Sequence, residues 1–218
     1  MNKLPQITVV FWITKICATT LGETAGDLLS MTMGIGYAES SIILIGLFLA
    51  ALSVQLLSKK YHPVIYWSVI LATSTAGTTM SDFMDRTLGL GYAAGSLVLV
   101  ALLVVTLIVW KRTEQSLSVT NIRTLRGEIF YWTAILCSNT LGTALGDYLA
   151  DSSGLGFSGG AILIGSLLLL LILAHYFTKI STVALFWLAF VLTRPFGATF
   201  GDLLTKPLEN GGLNFGTI

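Results

Sequence analysis

Five carboxylates stand in stretches that are otherwise apolar, and their spacing is regular. Asp27, Asp82, Asp147 and Asp202 each follow a glycine by five residues, the glycines being Gly22, Gly77, Gly142 and Gly197. Each glycine lies ten residues beyond the tryptophan of an aromatic pair: Phe11-Trp12, Tyr66-Trp67, Tyr131-Trp132 or Phe186-Trp187. The steps between the acids are 55, 65 and 55 residues, so a two-unit block recurs after 120 residues. A fixed period of this kind marks a repeat architecture before any helix is assigned. Glu23, beside the first glycine, adds a fifth acid.

Carboxylate oxygens suit hard cations such as Mg²⁺, Mn²⁺ or Ca²⁺. A cluster of them withdrawn from water must bind cations, take up protons or pair with basic groups. The candidate cation-binding, and hence metal-binding, residues are therefore Glu23, Asp27, Asp82, Asp147 and Asp202. Thr19, Thr78, Asn139, Thr143, Asp85 and Asp151 are the supporting polar groups. Other chemistry is poorly provided for: no nucleophile–base pair can be seen and no paired-histidine spacing lies within a span. Cys17 and Cys137 are equivalent, 120 residues apart, and read as small apolar packing groups. Neither an enzyme nor a cofactor is expected.

The elements that must position these acids are apolar helices. The chain has 218 residues, 54% hydrophobic and only 11% charged, against about 25% charged in soluble domains. Its mean hydropathy is +0.82. A net charge of +1 without a basic patch argues against a nucleic-acid partner. A spanning helix needs about 20 mostly apolar residues, and seven segments qualify: roughly 6–30, 39–58, 64–86, 93–110, 128–151, 159–178 and 182–205. The odd segments carry the acids and the even ones are nearly free of charge. The fourth unit ends after Leu213-Asn214-Phe215 without a second apolar segment. The expected fold is an all-α integral membrane protein of seven transmembrane helices, from four parallel two-helix repeats with the last truncated. Its pseudo-symmetry axis lies along the membrane normal rather than in the plane. Residues 1–111 form the first half, 112–127 a cytoplasmic linker and 128–218 the second half of one membrane domain.

On each odd segment the residues at helical spacing form one small and polar stripe. Lipid will not accept such stripes, so the four must face one another. Gly22/Gly26, Gly77/Ser81, Gly142/Gly146 and Gly197/Gly201 are small-xxx-small pairs that let backbones approach. Lys15 and Arg194 are the basic residues within spans. Arg194 is expected as a counter-ion; Lys15 is read either as a second one or as snorkelling to the cytoplasmic interface. The tryptophans fit an interfacial belt at the cytoplasmic side. Lys3, Lys59, Lys60, Lys111, Arg112, Arg123, Arg126 and Lys179 fall on one side of the seven spans, and Arg86 and Lys206 on the other. By the positive-inside bias the amino terminus is cytoplasmic and the carboxyl terminus outside.

At Gly22-Glu23-Thr24-Ala25-Gly26-Asp27 and Gly142-Thr143-Ala144-Leu145-Gly146-Asp147, with Gly77 to Asp82 and Gly197 to Asp202, the chain resembles a bacterial inner-membrane family. That family is built from four copies of a short repeat and is described as uncharacterised membrane-anchored proteins. The resemblance covers nearly the whole chain; it implies a bacterial inner-membrane location and carries no activity. The run Glu23 to Asp27 is also loosely similar to the motif of calcium/manganese-proton exchangers. It differs by one residue in length and lacks the basic and hydroxyl residues that follow that motif.

The expected function is transport or export of a small cation, divalent or proton-coupled, through a carboxylate-lined centre. The expected partners are the lipid bilayer, the cation and, through self-association, a second copy of the chain. The alternative is a non-transporting scaffold or accessory subunit whose polar core closes on itself.

Overall fold

The computed structural model of the protein describes residues 4–122 and 124–216. Seven long helices account for most of them: α1 (Val9–Asp27), α2 (Tyr37–Leu57), α3 (Pro63–Asp82), α4 (Tyr92–Glu114), α5 (Leu125–Asp147), α6 (Gly156–Phe177) and α7 (Thr182–Thr205). No strand occurs among the described residues. The four acid-bearing helices pack as a closed ring, α1 on α3, α3 on α5, α5 on α7 and α7 back on α1. The other three stand outside it, α2 against α3, α4 against α5 and α6 against α7. Each outer helix therefore leans on the ring helix of the following repeat. Among the described residues no outer helix covers α1, and Val9, Val10, Ile13 and Leu21 are exposed there.

The glycines explain why the ring closes so tightly. A Cβ added to Gly77 would stand 2.9 Å from the Thr140 nitrogen and 3.0 Å from the Asn139 carbonyl carbon. Only a residue without a side chain admits backbone at that distance. The same contact recurs around the ring: Gly22 receives Ser74, Gly77 receives Asn139, Gly142 receives Arg194 and Gly197 receives Thr19. In every case the incoming residue stands three positions before the next helix's own glycine. Such a cyclic pattern requires four parallel helices at one height, related by a pseudo-fourfold axis.

The amino-terminal end of the ring is closed by aromatic rings in the same cyclic order. Phe11 meets Trp67 at 5.6 Å between centroids, Tyr66 meets Trp132 at 5.6 Å, Tyr131 meets Trp187 at 6.4 Å and Phe186 meets Trp12 at 5.7 Å. The Tyr66 and Tyr131 hydroxyls lie 2.6 Å apart between α3 and α5. Trp12 and Trp67 stay half-buried. Trp132 and Trp187 are buried, because converging parallel helices turn their aromatic pairs into one plug. The connection after α4 seals it further, with Val119 and Ile122 buried and the Leu117 carbonyl accepting from Trp187 Nε1 at 3.1 Å. α4 itself runs on to Glu114, into the stretch expected as linker.

Four helices, α2, α4, α6 and α7, are long and apolar enough to cross a membrane, which suggests a membrane protein. α1, α3 and α5 fall below that measure because their polar stripes lower the hydropathy of the whole helix. Lys3 and Arg123 lie outside the described residues.

Directly after Asp27, Asp82 and Asp147 the ring helices widen into a π turn, Leu28–Thr32, Phe83–Thr87 and Tyr148–Ser152, a feature with no counterpart in the sequence pattern. π turns often mark functional sites. The fourth helix has none. Pro207 stands where the others have Thr32, Thr87 and Ser152, and without an N–H it cannot make the wider bond. Lys206 instead donates its backbone N–H to Asp202 at ordinary α-helical spacing, 2.9 Å.

Candidate functional site

The site is built in layers along the ring axis, moving from the aromatic plug toward the acids. Lys15 comes first, with Ile70, Ile135 and Phe190 at the equivalent positions of the other helices, all four buried. Its nitrogen lies 3.5 Å from Asn139 Oδ1 and 4.2 Å from the centre of the Phe190 ring. Neither expectation for Lys15 holds. The residue is 0% exposed, so it does not snorkel, and among the described residues no carboxylate stands within ion-pairing distance. The cause is axial: Lys15 lies eight residues before Glu23, about 12 Å along the helix.

The next layers hold an ion pair. Arg194, fully buried, places Nη1 2.7 Å from Glu23 Oε2. Its Nη2 donates to the hydroxyls of Thr78 at 2.5 Å and Thr143 at 2.7 Å. Those hydroxyls in turn donate to the same Glu23 Oε2, each at 3.1 Å. Three helices thus present hydrogen-bond donors to one carboxylate oxygen of the fourth. The arrangement satisfies a buried charge that would otherwise cost several kcal/mol. Arg194 is the counter-ion expected of it, and Thr78 and Thr143 support Glu23 directly. Asn139 donates to Thr73 Oγ1 at 2.8 Å, and Thr19 bonds back to helix carbonyls, so both act on packing rather than on the acids.

One turn further on, Asp27, Asp82, Asp147 and Asp202 form a ring with exposures of 4%, 1%, 4% and 4%. Glu23, Asp147 and Asp202 each offer an oxygen within 4.8 Å of the others, a spacing that could hold a metal ion. Two basic residues cover this ring. Arg86 Nε stands 2.9 Å from Asp82 and its Nη2 3.4 Å from Asp147. Lys206 Nζ stands 2.5 Å from Asp27 and 3.4 Å from Asp202. Burial works against the Lys206 ammonium, but the carboxylates of Asp202 and Asp27 outweigh it and hold the amine above the usual lysine range.

In the sequence pattern Arg86 and Lys206 stand out only as charges on the far side of the spans. The signal that could have found them is their spacing, each four residues after an aspartate on a helix and 120 residues apart. Asp85 and Asp151, expected as supporting groups, lie outside the ring. Asp85 is buried toward α4, where it accepts from Ser81 at 3.3 Å and faces Gly95. Asp151 is exposed and accepts from the Tyr92 hydroxyl at 3.3 Å. The π turn swings both off the axis.

The repeats seen in the fold are those of a known family: residues 10–61, 65–116, 130–181 and 185–218 match the family described as Repeat of Unknown Function (DUF347). The chain belongs to the DUF347 repeat family. Each of the first three DUF347 matches spans one ring helix and the outer helix after it, and the fourth begins within α7. No curated protein and no solved structure matches the chain.

Proposed function

We propose that the protein moves a small, hard, divalent cation across a bacterial inner membrane through the centre of the four-helix ring. The observation that carries this reading is the convergence of Glu23, Asp147 and Asp202, oxygens within 4.8 Å, on the axis of the ring. The local charge supports it. Five carboxylates converge, and the cations within reach are Arg194, Arg86 and Lys206. Counted formally, with every group ionised, that leaves two negative charges, the amount one divalent ion neutralises. Oxygen donors alone favour Mg²⁺, Mn²⁺ or Ca²⁺ over softer metals. In this reading all seven helices span the bilayer, with the aromatic plug cytoplasmic and the aspartates toward the outside. The basic residues at the plug end of the outer helices, Lys59, Lys60, Lys111, Arg112 and Lys179, support that orientation.

The test is uptake of Mn²⁺, Mg²⁺ and Ca²⁺ into proteoliposomes. Asp147→Asn and Asp202→Asn are expected to lose at least tenfold of the flux while the protein stays folded. Wild-type flux in both variants overturns the reading. A second reading, a closed polar core in a scaffold or accessory subunit, is favoured by the Arg194–Glu23 pair and the aromatic plug. It expects no flux from the wild-type protein and loss of folding in the variants.

A further inference from the structure

The two basic residues over the aspartate ring are placed as a matched pair. Arg86 follows α3 and Lys206 follows α7, helices on opposite sides of the ring, and each takes two neighbouring aspartates: Asp82 with Asp147, and Asp202 with Asp27. Between them they engage all four. Arg86 is held from the side by the faces of Tyr92 at 5.6 Å and Tyr37 at 6.0 Å, and Lys206 reaches Met31 Sδ at 3.8 Å. Their side chains keep 34% and 23% of their exposure, against 6% or less for the aspartates beneath, so they are the groups an entering ion meets first. The repeats without such a group have Met31 and Asp151 at the same position.

Resting on the cation reading above, we infer that Arg86 and Lys206 are tethered competitors that set the valence selectivity of the site. A cation reaching Asp147 and Asp202 must displace a side chain that already carries one positive charge. A monovalent ion brings no more charge than the group it replaces and gains nothing from the exchange. A divalent ion brings twice as much and wins, since attraction to the same carboxylates scales with its charge. Arg86 and Lys206 thus exclude Na⁺ and K⁺ without narrowing the passage. They act by holding the aspartates rather than by touching the ion.

The experiment compares wild type with the Arg86→Gln, Lys206→Gln double variant, and with Arg86→Lys, Lys206→Arg as the charge-preserving control. Mn²⁺ binding is measured by calorimetry in detergent against a background of Na⁺ or K⁺. Wild type and the control are expected to bind Mn²⁺ with little effect of either monovalent ion. The glutamine variant is expected to bind Mn²⁺ at least tenfold more tightly and to be inhibited by Na⁺. A glutamine variant with wild-type affinity and wild-type indifference to Na⁺ overturns the inference.

Failure of the underlying reading gives a different pattern, with no protein binding any cation. The cover over the ring is then judged on Ala198→Cys, a buried position beside the Glu23 layer, in a Cys17→Ala, Cys137→Ala background. A small, impermeant thiol reagent reacts faster in the glutamine variant if the two side chains guard the mouth. An equal rate overturns that too. A glutamine variant that does not fold is replaced by the single changes, read in the same way.

Discussion

The buried ion pair between Arg194 and Glu23 is tightly constrained, because both groups are out of water and share the Thr78 and Thr143 hydroxyls. Removing one partner leaves the other charged and alone. Arg194→Met is therefore expected to destabilise the protein by about 3–5 kcal/mol, read as a large fall in the thermal midpoint in detergent. Replacing both, Arg194→Met with Glu23→Gln, is expected to recover much of that loss. A double variant no more stable than Arg194→Met would show that the two do not act as a pair. Arg194 was legible at this scale: an arginine on a polar helical stripe needs an acid, and Glu23 lies at matching depth. Lys15 was not, because spacing along one helix says nothing about which layers of the neighbouring helices are apolar.

At the scale of the helix, the glycines separate into those pressed against a neighbouring backbone and those at ordinary van der Waals distance from their neighbours. Gly77 faces the Thr140 nitrogen at 2.9 Å, whereas the nearest atoms to a Cβ on Gly201 are Glu23 Cβ and the Thr20 carbonyl oxygen, both at 3.4 Å. Gly77→Ala is expected to push α3 and α5 apart at about 1–3 kcal/mol, while Gly201→Ala is nearly neutral. Thermal unfolding of the two variants side by side checks this. The aromatic plug gives a second expectation: Tyr66→Phe removes the hydroxyl that meets Tyr131 at 2.6 Å and costs about 1 kcal/mol. Helix existence was legible from the apolar segments, and most ends fell within a few residues of expectation. The π turns were not legible, because a wider turn needs only one extra residue per helix and leaves no mark in composition.

For the whole molecule, the proposed seven-span arrangement would place the α4–α5 connection and the segment after α7 on opposite sides of the bilayer. A cysteine at Ser118 and one at Asn210, each in a background free of Cys17 and Cys137, are expected to react with an impermeant reagent from opposite faces of oriented vesicles. Labelling of both from one face would rule the arrangement out.

The sequence by itself determined the repeat, the seven apolar or half-apolar segments and the inward turn of the acids. Those follow from period and from the refusal of an apolar solvent to accept charge. Tertiary structure alone decided which groups pair. Four parallel helices at one height bring residues from different repeats into common layers, and contact across a layer depends on the rotation of each helix. That rotation made Arg86 and Lys206 partners of the aspartates, drew the aromatic pairs into a plug, and left Lys15 facing an amide and an aromatic ring.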